Sequence, residues 1–152
     1  MLEHRDTQEV KDTILRYNKL LTGGYSKMNM TPLREVATLE QSIRVYDHMA
    51  ALGEAGIRME SQLVDIKFLD IQFPKKDFAK VKTSERWNYS HIRIDSEMPG
   101  QNFVKGLIYK LSYELVRKDE KWLVSSVTVL GEDMPEKVSQ IDRSHLDLSD
   151  MV

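Results

Sequence analysis

The hydrophobic pattern of this chain changes period once. From about residue 6 to residue 50 apolar positions recur every three or four residues, as on one face of a helix; from about 64 to 130 they alternate, as on a half-buried strand. The clearest stretch is 103–130, FVKGLIYKLSYELVRKDEKWLVSSVTVL. Phe103, Lys105, Leu107, Tyr109, Leu111, Tyr113 and Leu115 share one side of a strand there. The polar run Lys118-Asp119-Glu120-Lys121 turns the chain, and Trp122-Leu123-Val124 starts a return strand.

In the helical half, the spacing predicts a first helix over residues 6–21. Asp6 and Glu9 have capping-box spacing, and Val10, Ile14, Tyr17 and Leu21 fall on one face. Gly23-Gly24 is expected to end it, since glycine favours the left-handed conformation of a helix terminus. A second helix is expected to begin at Thr31-Pro32, with Thr as cap and Pro at the first helical position. Its buried stripe would be Val36, Leu39, Ile43, Tyr46 and Ala50, and Gly53 and Gly56 would end it. Residues 25–30 read as a loop whose Met28 and Met30 serve as core filler. Residues 51–62 fit either a short third helix or a connection.

In the alternating half, Val64, Ile66 and Phe68 share one face, whereas Leu69, Ile71 and Phe73 share the other. The change of phase between Phe68 and Leu69 predicts a β-bulge or a strand that changes its buried side. After the turn at 74–77 a long strand covers about 78–94. Lys80, Lys82, Ser84, Arg86, Asn88 and Ser90 make its solvated face, and Val81, Thr83, Glu85, Trp87, Tyr89 and His91 the opposite one. A second phase change at His91-Ile92 predicts a second bend or bulge. Residues 95–102 form a loop by their Pro-Gly pair and polar content, and the sheet is expected to end at Gly131 to Pro135.

Helices first and strands after define an α+β fold, with N-terminal helices packed on a strongly curved, mostly antiparallel four-stranded sheet. Two helices across the concave side of such a sheet leave a cone with a hollow. The chain has 152 residues, enough for one domain with a real core. That domain is expected to span 1–131. Residues 132–152 form an acidic tail, because 131–152 holds six acids and two bases. A formal charge of -2 argues against general nucleic-acid binding. The absence of cysteine excludes disulfides, thiolate metal sites and cysteine nucleophiles. The four histidines, His4, His48, His91 and His145, have no helical metal-site spacing, so neither a metal nor another cofactor is expected. No phosphate loop and no nucleophile elbow occurs either. There is no membrane-spanning run and no signal region in these residues. The compartment stays open between the cytoplasm and the soluble part of an anchored or exported protein.

Beyond this pattern, Arg86-Trp87-Asn88-Tyr89 and the run from Tyr109 through Tyr113 and Arg117-Lys118-Asp119 to Lys121-Trp122-Leu123-Val124 resemble the nuclear transport factor 2-like, cystatin-like cone superfamily. The resemblance covers about residues 6–130 and is nearest to non-enzymatic, membrane-associated branches. One is the domain of a mitochondrial import-motor subunit; another is the soluble domain of type IV secretion assembly factors. It implies a binding or assembly module for a protein partner or a small hydrophobic ligand, with homodimerisation through the sheet and peripheral membrane association as further expectations. On that reading Ile108 and Val116 would be exposed on the convex face.

The same superfamily holds ketosteroid isomerases and polyketide cyclases, which implies the alternative: proton-transfer chemistry in the cone, carried by Glu85 and His91 with Tyr89. Ligand-binding candidates are Trp87, Tyr89, His91, Tyr109 and Tyr113, all large side chains at strand spacing. The plainer reading has the aromatics filling the core, with Glu85 and His91 near the ends of the sheet. Asp65 and Asp70 are expected as solvated strand residues or as a carboxylate of the cone. The basic row Lys80, Lys82 and Arg86, with Lys75 and Lys76, is expected as a solvated face or as a surface for an anionic partner.

Overall fold

The computed structural model describes residues 2–95 and 103–133. In order they form α1 (Leu2–Lys27), a short 3-10 helix (Thr31–Glu35), α2 (Leu39–Glu54) and four strands: β1 (Ile57–Lys75), β2 (Phe78–Arg93), β3 (Phe103–Lys118) and β4 (Lys121–Asp133). The strands make one antiparallel meander in the order β1-β2-β3-β4. Both helices pack against β1 and β4 at its two edges, so they lie across the inner face of a curled, unclosed sheet. The α+β architecture expected from the sequence is the one observed.

The helices differ from expectation in ways that packing explains. α1 does not stop at Gly23-Gly24 but continues to Lys27, which buries Tyr25. The stop comes at Met28, in the left-handed region at φ 55°. There the Asn29 N–H donates to Gly24 O at 2.9 Å and the Met28 N–H to Tyr25 O at 3.4 Å, the paired bonds of a Schellman terminus. A Cβ at Gly24 would lie 2.3 Å from Met30 Sδ, so close packing of Met30 is what this glycine serves. Met30 joins the core and Met28 packs against it, as expected of filler.

The second helix is broken in two. Thr31-Pro32 does start a helix, but only the 3-10 turn. Residues 36–38 then leave it to join the sheet: the Val124 N–H donates to Val36 O at 2.8 Å, and the Thr38 N–H to Val124 O at 2.9 Å. Thr38 caps α2 instead, its Oγ1 accepting from the Gln41 N–H at 3.2 Å. The expected stripe is corrected with it. α2 buries Gln41, Ser42, Val45 and Met49, whereas Leu39, Ile43 and Tyr46 are 59%, 48% and 51% exposed.

In β1 the expected bulge between Phe68 and Leu69 is present, as a register shift between Phe68 and Asp70. A second lies between Leu63 and Asp65 and a third between Gln72 and Lys75. The extra residues, Val64 and Leu69, are put outside, which lets Leu63, Ile66, Phe68, Ile71 and Phe73 all pack on the core. The bulge expected at His91-Ile92 is absent, because pairing with β1 is regular there. It falls instead between Trp87 and Tyr89 on the β3 side. Two residues of β3, Lys105 and Gly106, stand against one of β2, Asn88, at that point. Gly106, at φ 72°, makes the step, and its N–H donates to Asn88 Oδ1 at 2.8 Å.

This step also takes Phe103 and Lys105 off the side they were expected to share with Leu107, Tyr109, Leu111, Tyr113 and Leu115. The phase changes at Gly106, so Val104 is buried and Phe103 and Lys105 are exposed. Gly106→Ala would force an L-residue into the left-handed region and is expected to cost roughly 1–2 kcal/mol. Urea unfolding measures this, and a loss below about 0.3 kcal/mol would show that the bulge relaxes freely.

The sheet runs to Asp133, within the stretch expected to end it, so Glu132 and Asp133 belong to β4. Residues 134–152 of the acidic tail, and the loop after Asp95, lie outside the described residues. At the hairpin tips Arg117 donates to Asp77 Oδ1 at 2.9 and 2.8 Å, and to Asp6 Oδ1 at 3.3 Å. It also sits 5.5 Å over the Trp122 ring, joining the first turn of α1 to both turns.

Candidate functional site

The inward row of β2 is the row read from the sequence: Val81, Thr83, Glu85, Trp87, Tyr89 and His91 are all buried. Glu85 lies at mid-strand rather than near the end of the sheet, opposite Ile66 on β1 and Tyr109 on β3. Its carboxylate is 0% exposed and accepts three hydrogen bonds. Thr83 Oγ1 donates to Oε2 at 2.7 Å, Tyr113 OH to Oε2 at 2.6 Å, and Trp87 Nε1 to Oε1 at 2.9 Å. Thr83 and Trp87 can both reach it because residues two apart on a strand point the same way.

From α1 the network is closed by Asn18. Its Nδ2 donates to Tyr113 OH at 3.0 Å and to Ile14 O at 3.1 Å. Asn18 Oδ1 is buried without a hydrogen-bond partner among the described residues. Beside it, the Tyr17 ring stands edge-on to Tyr113, with centroids 6.2 Å apart, and Tyr17 OH accepts from Gln41 Nε2 at 2.9 Å. Hence the helices and the sheet meet through a polar thread inside an apolar core.

The electrostatics follow from burial. Glu85 is pushed above the usual carboxylate range by desolvation, and the bonds from Tyr113, Thr83 and Trp87 oppose that push without cancelling it. Among the described residues no Lys, Arg or His bonds to this carboxylate. Tyr113 is pushed well up by burial and by the neighbouring Glu85, and Tyr17 is raised chiefly by burial. Both phenols therefore stay protonated.

The candidates named from the sequence separate into two groups. Glu85, Trp87 and Tyr113 form one hydrogen-bonded cluster, and Tyr109 is fully buried across from Glu85. His91 and Tyr89 sit further along β2, with their rings 6.4 Å apart. Six residues of strand put His91 about 20 Å from Glu85, so the pair is not brought together. Asp65 and Asp70 are exposed on the outer side of β1. Ile108 and Val116 do lie on the outer face, but half-buried. The basic residues Lys80, Lys82 and Arg86 are exposed there, and Lys82 and Arg86 pair across the ladder with Asp70 and Asp65.

Thr83, Asn18 and Tyr17 are part of the cluster without having been singled out. Asn18, a polar residue beside the apolar face of α1, carried the only sequence hint.

Among the described residues, two of the surface cavities bear on the candidates. One of about 530 Å³ lies at the hairpin tips around Arg117, with acids and bases interspersed. The other, about 280 Å³, lies between Gln62, Asn88 and Phe103. Neither is lined by Glu85, Trp87, Tyr109 or Tyr113. Among the described residues no group of three or more His, Asp or Glu is set to hold a metal ion, and no helix is long and apolar enough to cross a membrane.

The architecture defines the class: two helices on an open, curled four-stranded meander. No protein-family model matches the chain, and no curated protein matches it in sequence. Among solved structures it is similar to the intermembrane space region of the chloroplast protein ARC6, with a TM-score of 0.70 and 13% identity over 82% of this chain and 95% of that one. A protein from Catenulispora acidiphila aligns with a TM-score of 0.47 and 13% identity, over 84% of this chain and 91% of that one. The likeness to the ARC6 region is one of fold.

Proposed function

We propose that the chain is a non-catalytic docking module of the nuclear transport factor 2-like type, which binds a protein partner through its outer surface. The observation that carries this reading is the complete burial of the cone's inward side chains. Glu85, Trp87, Tyr109 and Tyr113 are each 0% exposed, and the hydroxyls of Thr83 and Tyr113 and the indole N–H of Trp87 are spent on the Glu85 carboxylate. A proton-transfer site needs a substrate within hydrogen-bond reach of its acid or base, and a ligand-binding cone needs an open volume. The ARC6 intermembrane space region supports the reading only as a likeness of fold.

Thermal melting in the presence of steroid-like, aromatic and fatty-acid compounds tests it. None is expected to raise Tm by more than about 1 °C, because a ligand stabilises only what it binds. A shift of several degrees that disappears in Tyr113→Phe would assign the cone to a small molecule and overturn the docking reading.

A further inference from the structure

The docking reading asks which surface is free to dock, and α2 answers it. Leu39, Ile43 and Tyr46 follow one another at spacings of four and three along the helix, and each is about half exposed. They form a seam on one side of α2, while the sheet and α1 use the side carrying Gln41, Ser42, Val45 and Met49. An amphipathic helix usually turns its apolar stripe inward. Here the buried side takes two polar residues, one of which, Gln41, bonds Tyr17, and the larger apolar residues are left outside. An isolated exposed leucine needs no explanation, but an aligned seam marks a contact surface.

The charges along that seam select the partner. Glu40, Asp47 and Glu54 recur every seven residues and make one exposed, acidic edge beside it. Arg44, the one Lys or Arg within α2, is engaged elsewhere: its guanidinium donates to Gln41 Oε1 at 3.0 and 2.8 Å, and to Ser125 O at 2.8 Å. We infer that this face receives an amphipathic helix of a partner protein, whose apolar residues meet Leu39, Ile43 and Tyr46 and whose Lys or Arg residues meet the acidic edge. A second copy fits poorly, because an antiparallel two-fold pair would set the acidic edge against itself. The chain's own residues 131–152 are acidic and carry the wrong sign as well. The inference rests on the docking reading and gives it a place and a chemistry.

Two designed amphipathic helices of about 20 residues, alike in their leucine seam, test it. One carries Lys on both flanks of the seam and the other Glu, and each is titrated with the whole chain by fluorescence anisotropy. The lysine helix is expected to bind at least about tenfold tighter. Ile43→Glu should weaken it about tenfold or more, and Glu40→Lys combined with Asp47→Lys and Glu54→Lys should transfer the preference to the glutamate helix. These residues are exposed, so the variants should keep the wild-type melting curve, and Tyr46→Ser provides a milder break of the seam.

Equal binding of the two helices, or binding untouched by Ile43→Glu, overturns the inference. So does a dimer in sedimentation that Ile43→Glu dissociates. Failure here with a silent compound panel removes only the α2 site. Stabilisation by a compound removes the docking reading itself.

Discussion

Trp87→Ala should destabilise the fold by about 3–5 kcal/mol, the range for truncating a buried aromatic. Trp87 is 0% exposed and lies between Leu63 on β1 and Leu107 on β3, in the middle of the cone. Truncation removes the indole contacts, leaves a cavity that surrounding strands cannot close, and takes away the N–H that Glu85 Oε1 accepts. A domain of this size holds only about 5–15 kcal/mol in total, so the urea midpoint should fall steeply. Added indole should restore part of it, by binding the cavity of the folded state alone. Trp87→Phe, which keeps a ring but not the N–H, should lose less and remain measurable if the alanine variant does not fold. A loss below about 1 kcal/mol for Trp87→Ala at unchanged m-value would mean that the cone is not filled, and the functional reading would fall with it.

Glu85→Gln is expected to flatten the dependence of stability on pH. The folded carboxyl is raised above its unfolded value, mainly by burial. Its contribution is therefore fully present below the usual carboxylate range. It is lost as pH rises through the raised folded value, where the folded state must also give up the proton. The slope attributable to one proton is at most about 1.4 kcal/mol per pH unit. Gln keeps the shape and can serve the same neighbours, its oxygen accepting from Trp87 Nε1 and its amide donating to the hydroxyls of Thr83 and Tyr113. The difference between wild type and variant, from urea unfolding between about pH 4 and pH 8, isolates Glu85 from the carboxylates common to both. The wild type should lose ground to the variant as pH rises. Should it gain ground instead, the three donors outweigh desolvation and the group is an ordinary stabilised carboxylate.

What could be read from the sequence was the part where local pattern and tertiary packing agree. The alternation from Val81 to His91 specifies a buried row, and the row is buried throughout. The phase change at Phe68-Leu69 announces a bulge, and one is there. The helices were less legible because tertiary contacts outvote local signals in them. Gly23-Gly24 looks like a stop, yet Gly24 is where Met30 packs and Tyr25 must still be buried.

The apolar stripe Leu39-Ile43-Tyr46 looks like a core face. A core, however, can accept Gln41 when Tyr17 OH stands ready to pair with it, and no periodicity reveals a hydrogen bond to another element. For the same reason Glu85, Trp87 and Tyr113 were nameable as a group from strand spacing, whereas Asn18 and Thr83, which complete their bonding, were not. His91 shared the right face but lay too far along the strand, since alternation reports side and not distance.

The bulges of β1 and the insertion of residues 36–38 beside Val124 have a further consequence, for how copies of this protein avoid fusing their sheets. An incoming strand needs an uninterrupted ladder of free backbone groups. β1 breaks that ladder at Val64 and again at Leu69, which leaves only about four residues, 65–68, in one register between them. At the opposite border Val36 and Thr38 already hold both backbone groups of Val124. The run 57–63 remains the longest template on β1, and the bulges keep it from extending further along that border. On the docking reading proposed above, recognition of a partner falls to side chains on the helical surface rather than to the borders of the sheet.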